Sequence, residues 1–158
     1  MASRRRQIIQ KIVDSLKLIN KTTENIPNCP RSPYTFITNV YENVFDKQEY
    51  LDQINDFPSL FVYPITPETR RRIGQRETYC SFILEVRGYV HGEDSIYLSS
   101  DLAQDIQYII ESIKYRCTAD LGLVECRTET LSTDEGLLEP YGVVEVRVLV
   151  VYIQDYDI

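Results

Sequence analysis

The sequence predicts an α+β fold, a two-layer domain with two main helices packed on one face of a mostly antiparallel sheet of about five strands. Two segments place apolar residues at helical spacing. Other short runs are rich in β-branched and aromatic residues, as strands are. The order is helix, strand, a short helix, two strands, helix and two strands. The length of 158 residues fits one domain spanning 1–158.

The first helix is predicted from about Ser3 to Asn20, where charged residues fall opposite an apolar stripe. The stripe consists of Ile8, Ile9, Ile12, Val13, Leu16 and Ile19. Three prolines between positions 27 and 33 interrupt helix formation, and the segment Tyr34–Tyr41 is predicted to be a strand. A short helix is expected over Asp46–Asn55, with Tyr50 facing inward.

The central part of the chain alternates between strands and the second helix. Pro58–Pro64 is a short predicted strand, Thr66–Arg76 is a polar connection, and Thr78–Val90 is a long strand with regular alternation. The second helix is expected to begin near Ser99, because serine before an acidic residue suits a helix N-terminus. Its buried stripe is Leu102, Ile106, Ile109, Ile110 and Ile113. Another strand is predicted over Leu123–Leu131.

The last predicted strand, Val143–Ile153, has two unlike faces. One face is wholly apolar and fits the core: Val144, Val146, Val148, Val150 and Tyr152. The other face is charged in its first half and apolar in its second, where it carries Leu149, Val151 and Ile153. A domain with helices on one side only has no internal use for this second apolar patch. These three residues are therefore predicted to be buried against another protein.

Charged residues predict how two of the strands pair. The strand over 78–90 and the last strand share a Glu-Val-Arg pattern. As antiparallel neighbours they place Glu85 opposite Arg147, and they place Arg87 opposite Glu145. Each exposed pair of this kind contributes about 0.2–1 kcal/mol.

The composition limits the classes of function. The formal net charge of −7 argues against a surface that binds nucleic acid or an anionic membrane as a whole. A helix that crosses a membrane needs about 20 apolar residues, and no apolar run in this sequence is that long. The basic N-terminus leads into an amphipathic segment rather than a secretory signal, so we expect folding in a cytoplasm. The four scattered cysteines are then expected to be free, buried thiols.

Signals for catalysis are weak. His91 is the only histidine, and the sequence has no nucleophile elbow, phosphate-binding loop or dinucleotide fingerprint. The best enzymatic alternative is a small metal-dependent nuclease, because carboxylates cluster in sequence and two of them lie one helical turn apart. These carboxylates are Glu93, Asp94, Asp101 and Asp105. Helix capping and a solvated acidic face explain these carboxylates better than a nuclease does, so no catalytic residue, metal or cofactor is predicted.

Two segments of opposite charge are candidates for contacts between proteins. The basic segment consists of Arg70, Arg71, Arg72 and Arg76, and it is expected to dock on an acidic protein surface. The acidic segment consists of Glu129, Asp134, Glu135 and Glu139. Opposite charges on two loops suit a head-to-tail arrangement of copies in a ring. The acidic segment is also assigned to the lumen of such a ring, where it would repel DNA phosphates.

The order of elements and several local patterns resemble the tail-terminator, or tail-completion, proteins of long-tailed bacteriophages. The resemblance extends over nearly the whole chain. It is carried by the opening amphipathic helix, the strand and polar loop from Phe57, the segment Ser81–Val90, the helix from Ser99 and the valine-rich last strand.

This resemblance implies a structural protomer without catalysis or cofactor. Six copies would form a ring that caps the completed tail tube, ends its polymerisation and presents a docking surface to the head-tail connector protein. The implied partners are other copies of the chain, the tail tube protein and the connector, with DNA only in passage and no membrane. The implied location is the head-proximal end of the virion tail, after assembly in the host cytoplasm. The alternative is a neck or head-completion module of the head-tail interface.

Overall fold

A computed structural model describes residues 3–26, 33–115 and 121–155. These ranges contain two α-helices, α1 (Arg4–Leu16) and α2 (Ser95–Ser112). They also contain a mostly antiparallel main sheet of six strands, one more than predicted. Its strands are β3 (Val44–Phe45), β4 (Ser59–Pro64), β5 (Thr69–Arg72), β6 (Glu77–His91), β7 (Leu123–Thr133) and β8 (Tyr141–Asp155). A separate ribbon pairs β1 (Thr23–Glu24) with β2 (Tyr34–Thr35).

The antiparallel pairing of β6 with β8 forms the centre of the main sheet. The two strands are matched along their whole length of 15 residues. Glu85 lies opposite Arg147, and Arg87 lies opposite Glu145, which confirms the predicted register. β4 and β5 pair with the other edge of β6, β7 pairs with the other edge of β8, and β3 runs parallel to β4.

Both helices pack on one face of the sheet, the inner face, as the α+β prediction requires. Apolar side chains of β4, β6, β7 and β8 meet the apolar stripes of the helices there in one core. Gly88 of β6 allows a close approach, because a Cβ at this position would lie 2.8 Å from the side chain of Leu102 in α2. Within the described residues, no helix has both the length and the hydropathy needed to cross a bilayer.

Several element boundaries differ from the predictions. α2 begins at Ser95, and the hydroxyl of Ser99 donates to the Ser95 carbonyl oxygen at 2.7 Å from inside the helix. α1 ends at Leu16, although Ile19 is still buried. Thr69–Arg72, predicted to be a connection, forms β5 because β6 extends beyond β4 and offers a free edge there.

Two predicted elements before β4 were largely wrong. Only the first two residues of Tyr34–Tyr41 form a strand, and the rest is irregular chain that buries Phe36 in the core. Asp46–Asn55 contains a single 3₁₀ turn at Leu51–Gln53 instead of a helix. Tyr50, predicted to face inward, is 62% exposed.

Asp105 of α2 explains why the irregular segment after β2 is held in place. The prediction of a solvated acidic face is wrong for this residue, because its side chain is fully buried. Its carboxylate accepts hydrogen bonds from the Tyr34 hydroxyl at 2.8 Å, the Ile37 amide at 3.1 Å, and the Thr38 amide and hydroxyl at 2.8 and 2.7 Å. Burial, and then the bond to Asp105, raises the pKa of Tyr34, so its hydroxyl stays a donor at neutral pH.

The opposite face of the sheet, the outer face, is covered in part by the segment 45–57. Phe45 stacks on Phe61 of β4, with ring centroids 5.5 Å apart. The hydroxyl of Tyr89 in β6 donates to the Glu49 carbonyl oxygen at 2.8 Å. Phe61 and Tyr89 are buried although they point away from the helices.

Two cysteines lie in the described residues, and both are free, buried thiols, as expected. They are Cys80 and Cys126. Burial, with the nearby Glu111 carboxylate as a second cause, raises the pKa of the Cys126 thiol to about 12. Cys29 and Cys117 lie outside the described residues.

Replacing Asp105 with alanine is expected to destabilise the protein by about 3 kcal/mol or more, because several buried donors lose a charged acceptor. Asp101→Ala, one turn earlier on α2 and partly exposed, is the matched control. It should change the free energy of unfolding by less than about 0.5 kcal/mol. Urea unfolding followed by circular dichroism measures both changes, and equal effects would contradict the anchoring role of Asp105.

The Cys126 thiol is expected to resist alkylation in the native protein at about pH 8, because it is buried and almost entirely protonated. Iodoacetamide labelling followed by peptide mass mapping checks this, with urea-unfolded protein as the reactive reference. Rapid labelling of the native Cys126 peptide would mean that β7 opens readily.

Candidate assembly interface

A group of apolar side chains lies on the part of the outer face that the segment 45–57 does not cover. We call it the outer patch, and it consists of Tyr79, Ile83, Leu149, Val151 and Ile153. In the sheet Ile83 is paired with Leu149 and Tyr79 with Ile153, and directly opposite residues share a face. Tyr79 is exposed and the other four are half-buried. The three predicted interface residues of β8 thus lie beside two residues of β6 that the prediction does not include.

A charged network borders the outer patch. Arg87 forms an ion pair with Glu145, and its Nε lies 3.7 Å from a carboxylate oxygen of Glu85. Tyr63 of β4 also donates to Glu85, and burial, followed by this bond, raises the pKa of Tyr63. Arg147 lies opposite Glu85 but is exposed, and it forms no ion pair within the described part of the chain. Arg147 is therefore the charged residue beside this network that is open to a partner.

The four predicted interface arginines lie on β5 and in the turn after it, and all are exposed. Three of them have contacts within the protomer. Arg70 pairs with Glu68 at 2.8 Å, and Arg72 donates to a backbone carbonyl oxygen of the turn at 2.9 Å. Arg76 lies 3.9 Å from Asp155. Internal contacts thus account for part of this basic segment.

Arg71 differs from the other three arginines. It is paired with Tyr79 in the sheet, so it lies on the outer face at the border of the outer patch. It forms no ion pair with any described residue. The structure thus places one cation of the predicted basic segment directly beside the predicted apolar interface.

Three residues of the acidic segment, Asp134, Glu135 and Glu139, lie at the opposite end of the sheet in the turn between β7 and β8, whereas Glu129 lies within β7. Glu129 pairs with Arg127 at 3.1 Å. Asp134 braces the turn, because its oxygens accept from two backbone N–H groups at 3.0 and 3.2 Å. Glu135 and Glu139 are exposed, and the Glu135 carboxylate accepts from the Thr133 hydroxyl at 3.1 Å. Three of the four predicted acidic residues thus have structural partners, and the assignment of the segment to a lumen stays a prediction.

Two leucines in the same turn belong to no predicted site. Leu137 is 88% exposed and Leu138 is 45% exposed. The turn is packed against α2, because Gly136, with a φ of +84°, leaves room where a Cβ would lie 2.8 Å from Ile96. The available sequence signal was an adjacent pair of leucines inside an acidic turn, where solvated loops usually carry polar residues.

The edge strand β7 is poorly suited to pairing with another chain. Its register with β8 shifts between Leu123 and Glu125 and again between Thr128 and Thr130. The amide of Thr128, next to the second shift, donates to Glu111 of α2 at 3.0 Å. Bulges and such a bonded amide discourage the addition of a further strand. The side chains of the outer face are therefore the better candidate interface.

The residues considered for catalysis have other surroundings in the structure. The His91 ring packs against Tyr141, with centroids 4.6 Å apart. Asp105 is committed to the segment after β2, so it does not form an exposed pair with Asp101. In the ranges that the structure describes, no group of three or more His, Cys, Asp or Glu side chains is arranged to hold a metal ion. The nuclease alternative thus loses one of its two helical carboxylates.

The ion pair of Arg87 with Glu145 is expected to show a coupling of about 0.5–1 kcal/mol in a double-mutant cycle with alanine, because it is partly shielded from water. The exposed pair of Arg127 with Glu125 is the control and should show less than about 0.5 kcal/mol. Urea unfolding of the single and double variants gives both values. Equal coupling in the two pairs would contradict the shielding of the first.

Comparisons with known proteins identify the family of the chain. No curated protein sequence matches the chain. A family model described as bacteriophage tail tube terminator protein matches residues 2–157, which is nearly the whole chain. The chain therefore belongs to the bacteriophage tail tube terminator family and is a structural protein of the phage tail.

Proposed function

We propose that the protein caps the completed tail tube as a ring of its own copies and thereby ends tube polymerisation. Membership of the terminator family supports the tube as the place of action. The outer patch supports self-association and is the observation that carries the proposal, because its apolar side chains lie on a part of the outer face that the segment 45–57 does not cover. The number of six copies follows from the family resemblance.

Charges beside the outer patch support contacts between copies. Arg70, Arg71, Arg72 and Arg76 form the basic side of the proposed interface. Arg71 has the strongest support, because it borders the outer patch and pairs with no described carboxylate. An exposed cation at the rim of an apolar contact aligns partners and raises the association rate more than it adds affinity.

The proposed partners are other copies of the chain, the tail tube protein and the head-tail connector protein. The proposed location is the head-proximal end of the tail, with assembly in the host cytoplasm. DNA passes through the ring without being held, and the net charge of −7 supports this because it repels phosphates.

The sequence also predicts that the acidic segment lines the lumen. Glu129 pairs with an arginine and Asp134 holds backbone amides, whereas Glu135 accepts from the Thr133 hydroxyl in an exposed bond, so Glu135 and Glu139 would carry that role. A turn that lines an open channel is not buried between copies. Crosslinking from the turn therefore distinguishes a turn that lines the lumen from a turn that lies in a contact between copies.

Particles made without this protein are expected to have tails that are longer than normal, because nothing stops tube growth. Electron micrographs of a phage lacking the gene, with and without the gene supplied from a plasmid, measure the length distribution. Tails of normal length that fail to join heads would instead indicate the neck or head-completion role.

Native mass spectrometry of capped tubes checks the ring, and a single copy per tube would contradict it.

A further inference from the structure

The turn between β7 and β8, residues 134–141, is a preformed binding element, and we call it the tip. Three backbone hydrogen bonds of 2.8 to 3.2 Å join its own residues, and two more join it to Val143 and Gly92. The Asp134 carboxylate accepts two further bonds from backbone amides. Its inner side rests on Ile96 of α2. A turn that is already ordered loses little conformational entropy on binding, so its exposed side chains contribute more of their burial energy to a contact.

Along the chain, the tip carries an acidic side chain, then two apolar side chains and then a second acidic side chain. Leu137 and Leu138 are exposed at its centre, with Glu135 on one side and Glu139 on the other. Such an element fits a surface with an apolar centre and cations at its borders. Burial of an almost fully exposed leucine favours such a contact on its own.

The outer patch is a surface of this kind. Arg71 lies at one border, opposite Tyr79, and Arg147 lies at another, next to Leu149 on the same face of β8. The third border, on β7, carries Arg127 paired with Glu125 at 2.9 Å. The β7 border therefore offers no unpaired cation, and Arg71 and Arg147 are the groups that attract carboxylates.

The tip of a protomer does not reach its own outer patch. Tyr141, at the end of the tip, and Val151, in the patch, belong to the same strand. Ten residues of strand separate them, a distance of about 33 Å along a continuous pairing with β6. Any contact between these two surfaces must therefore join two molecules.

We propose that the tip of one copy docks on the outer patch of the next copy, with its two leucines on the apolar side chains. The two exposed carboxylates of the tip then lie beside Arg71 and Arg147 of the neighbouring copy. The contact joins two different surfaces, so repetition of it gives a closed ring or an open helix. The ring rests on the proposed function, whereas the contact itself rests only on this chain.

A photocrosslinker tests the contact directly. Phage tails are assembled with p-benzoylphenylalanine at position 137, using a mixture of isotopically light and heavy chains. We expect a crosslink between a light and a heavy copy that maps to the peptides containing Tyr79–Ile83 or Leu149–Ile153. The same crosslinker at Tyr50, which is also exposed, is the control and should not reach these peptides.

Charge exchange provides a second, independent measurement. Arg71→Glu combined with Arg147→Glu is expected to lower the crosslink yield about tenfold, since two attractions become repulsions. Adding Glu135→Arg and Glu139→Arg to the same chain should restore most of the yield. Asp52→Arg, an exposed acidic position on the 45–57 segment, is the matched control and should restore nothing.

The outcomes distinguish this contact from the proposed function. A crosslink from position 137 to the tube protein or the connector would overturn the contact while leaving the terminator role intact. Absence of any crosslink in capped tails would also overturn it and would favour the lumen placement of the tip. Tails of normal length in particles without the protein would overturn the terminator role, even if copies crosslink as expected.

Discussion

The antiparallel pairing of β6 with β8 is the constraint on which the rest of this structure depends. Side chains alternate along a strand, so a given register directs every second side chain of each strand toward the helices and the others toward the outer face. A slip by one residue would place Glu145 under the helices and move Val146 to the other side. The ion pair of Arg87 with Glu145 fits the observed register and not the slipped one.

The length of this pairing also gives the protomer a direction. The basic segment around β5 lies where β6 begins, and the tip lies where β8 begins, so the two charged regions are at opposite ends of the sheet. Opposite charges within one rigid body cannot neutralise each other across that span, since screening acts over about 8 Å at physiological ionic strength. A head-to-tail neighbour would bring the basic end of one copy next to the acidic end of another.

The sequence predicts the long elements well, because helical and strand periods are local properties of the chain. β6, β8, the two helices and the cross-strand charges followed from such patterns. Asp105 could not be recognised in this way, since its burial depends on donors that lie 67 or more positions away in the chain. Exposure of Leu137 likewise depends on how the turn rests on Ile96, which no local pattern reports.

The irregular edge of β7 restricts one way in which copies of this chain can join. A straight open edge invites backbone ladders, which extend from molecule to molecule without limit and lead to fibres. Here the two register shifts, and the Thr128 amide held by Glu111, make that edge unattractive. Contacts between copies through the backbone of β7 are therefore disfavoured, and side-chain surfaces remain the better candidates for such contacts. An edge of this kind keeps the chain from adding to a strand ladder at β7.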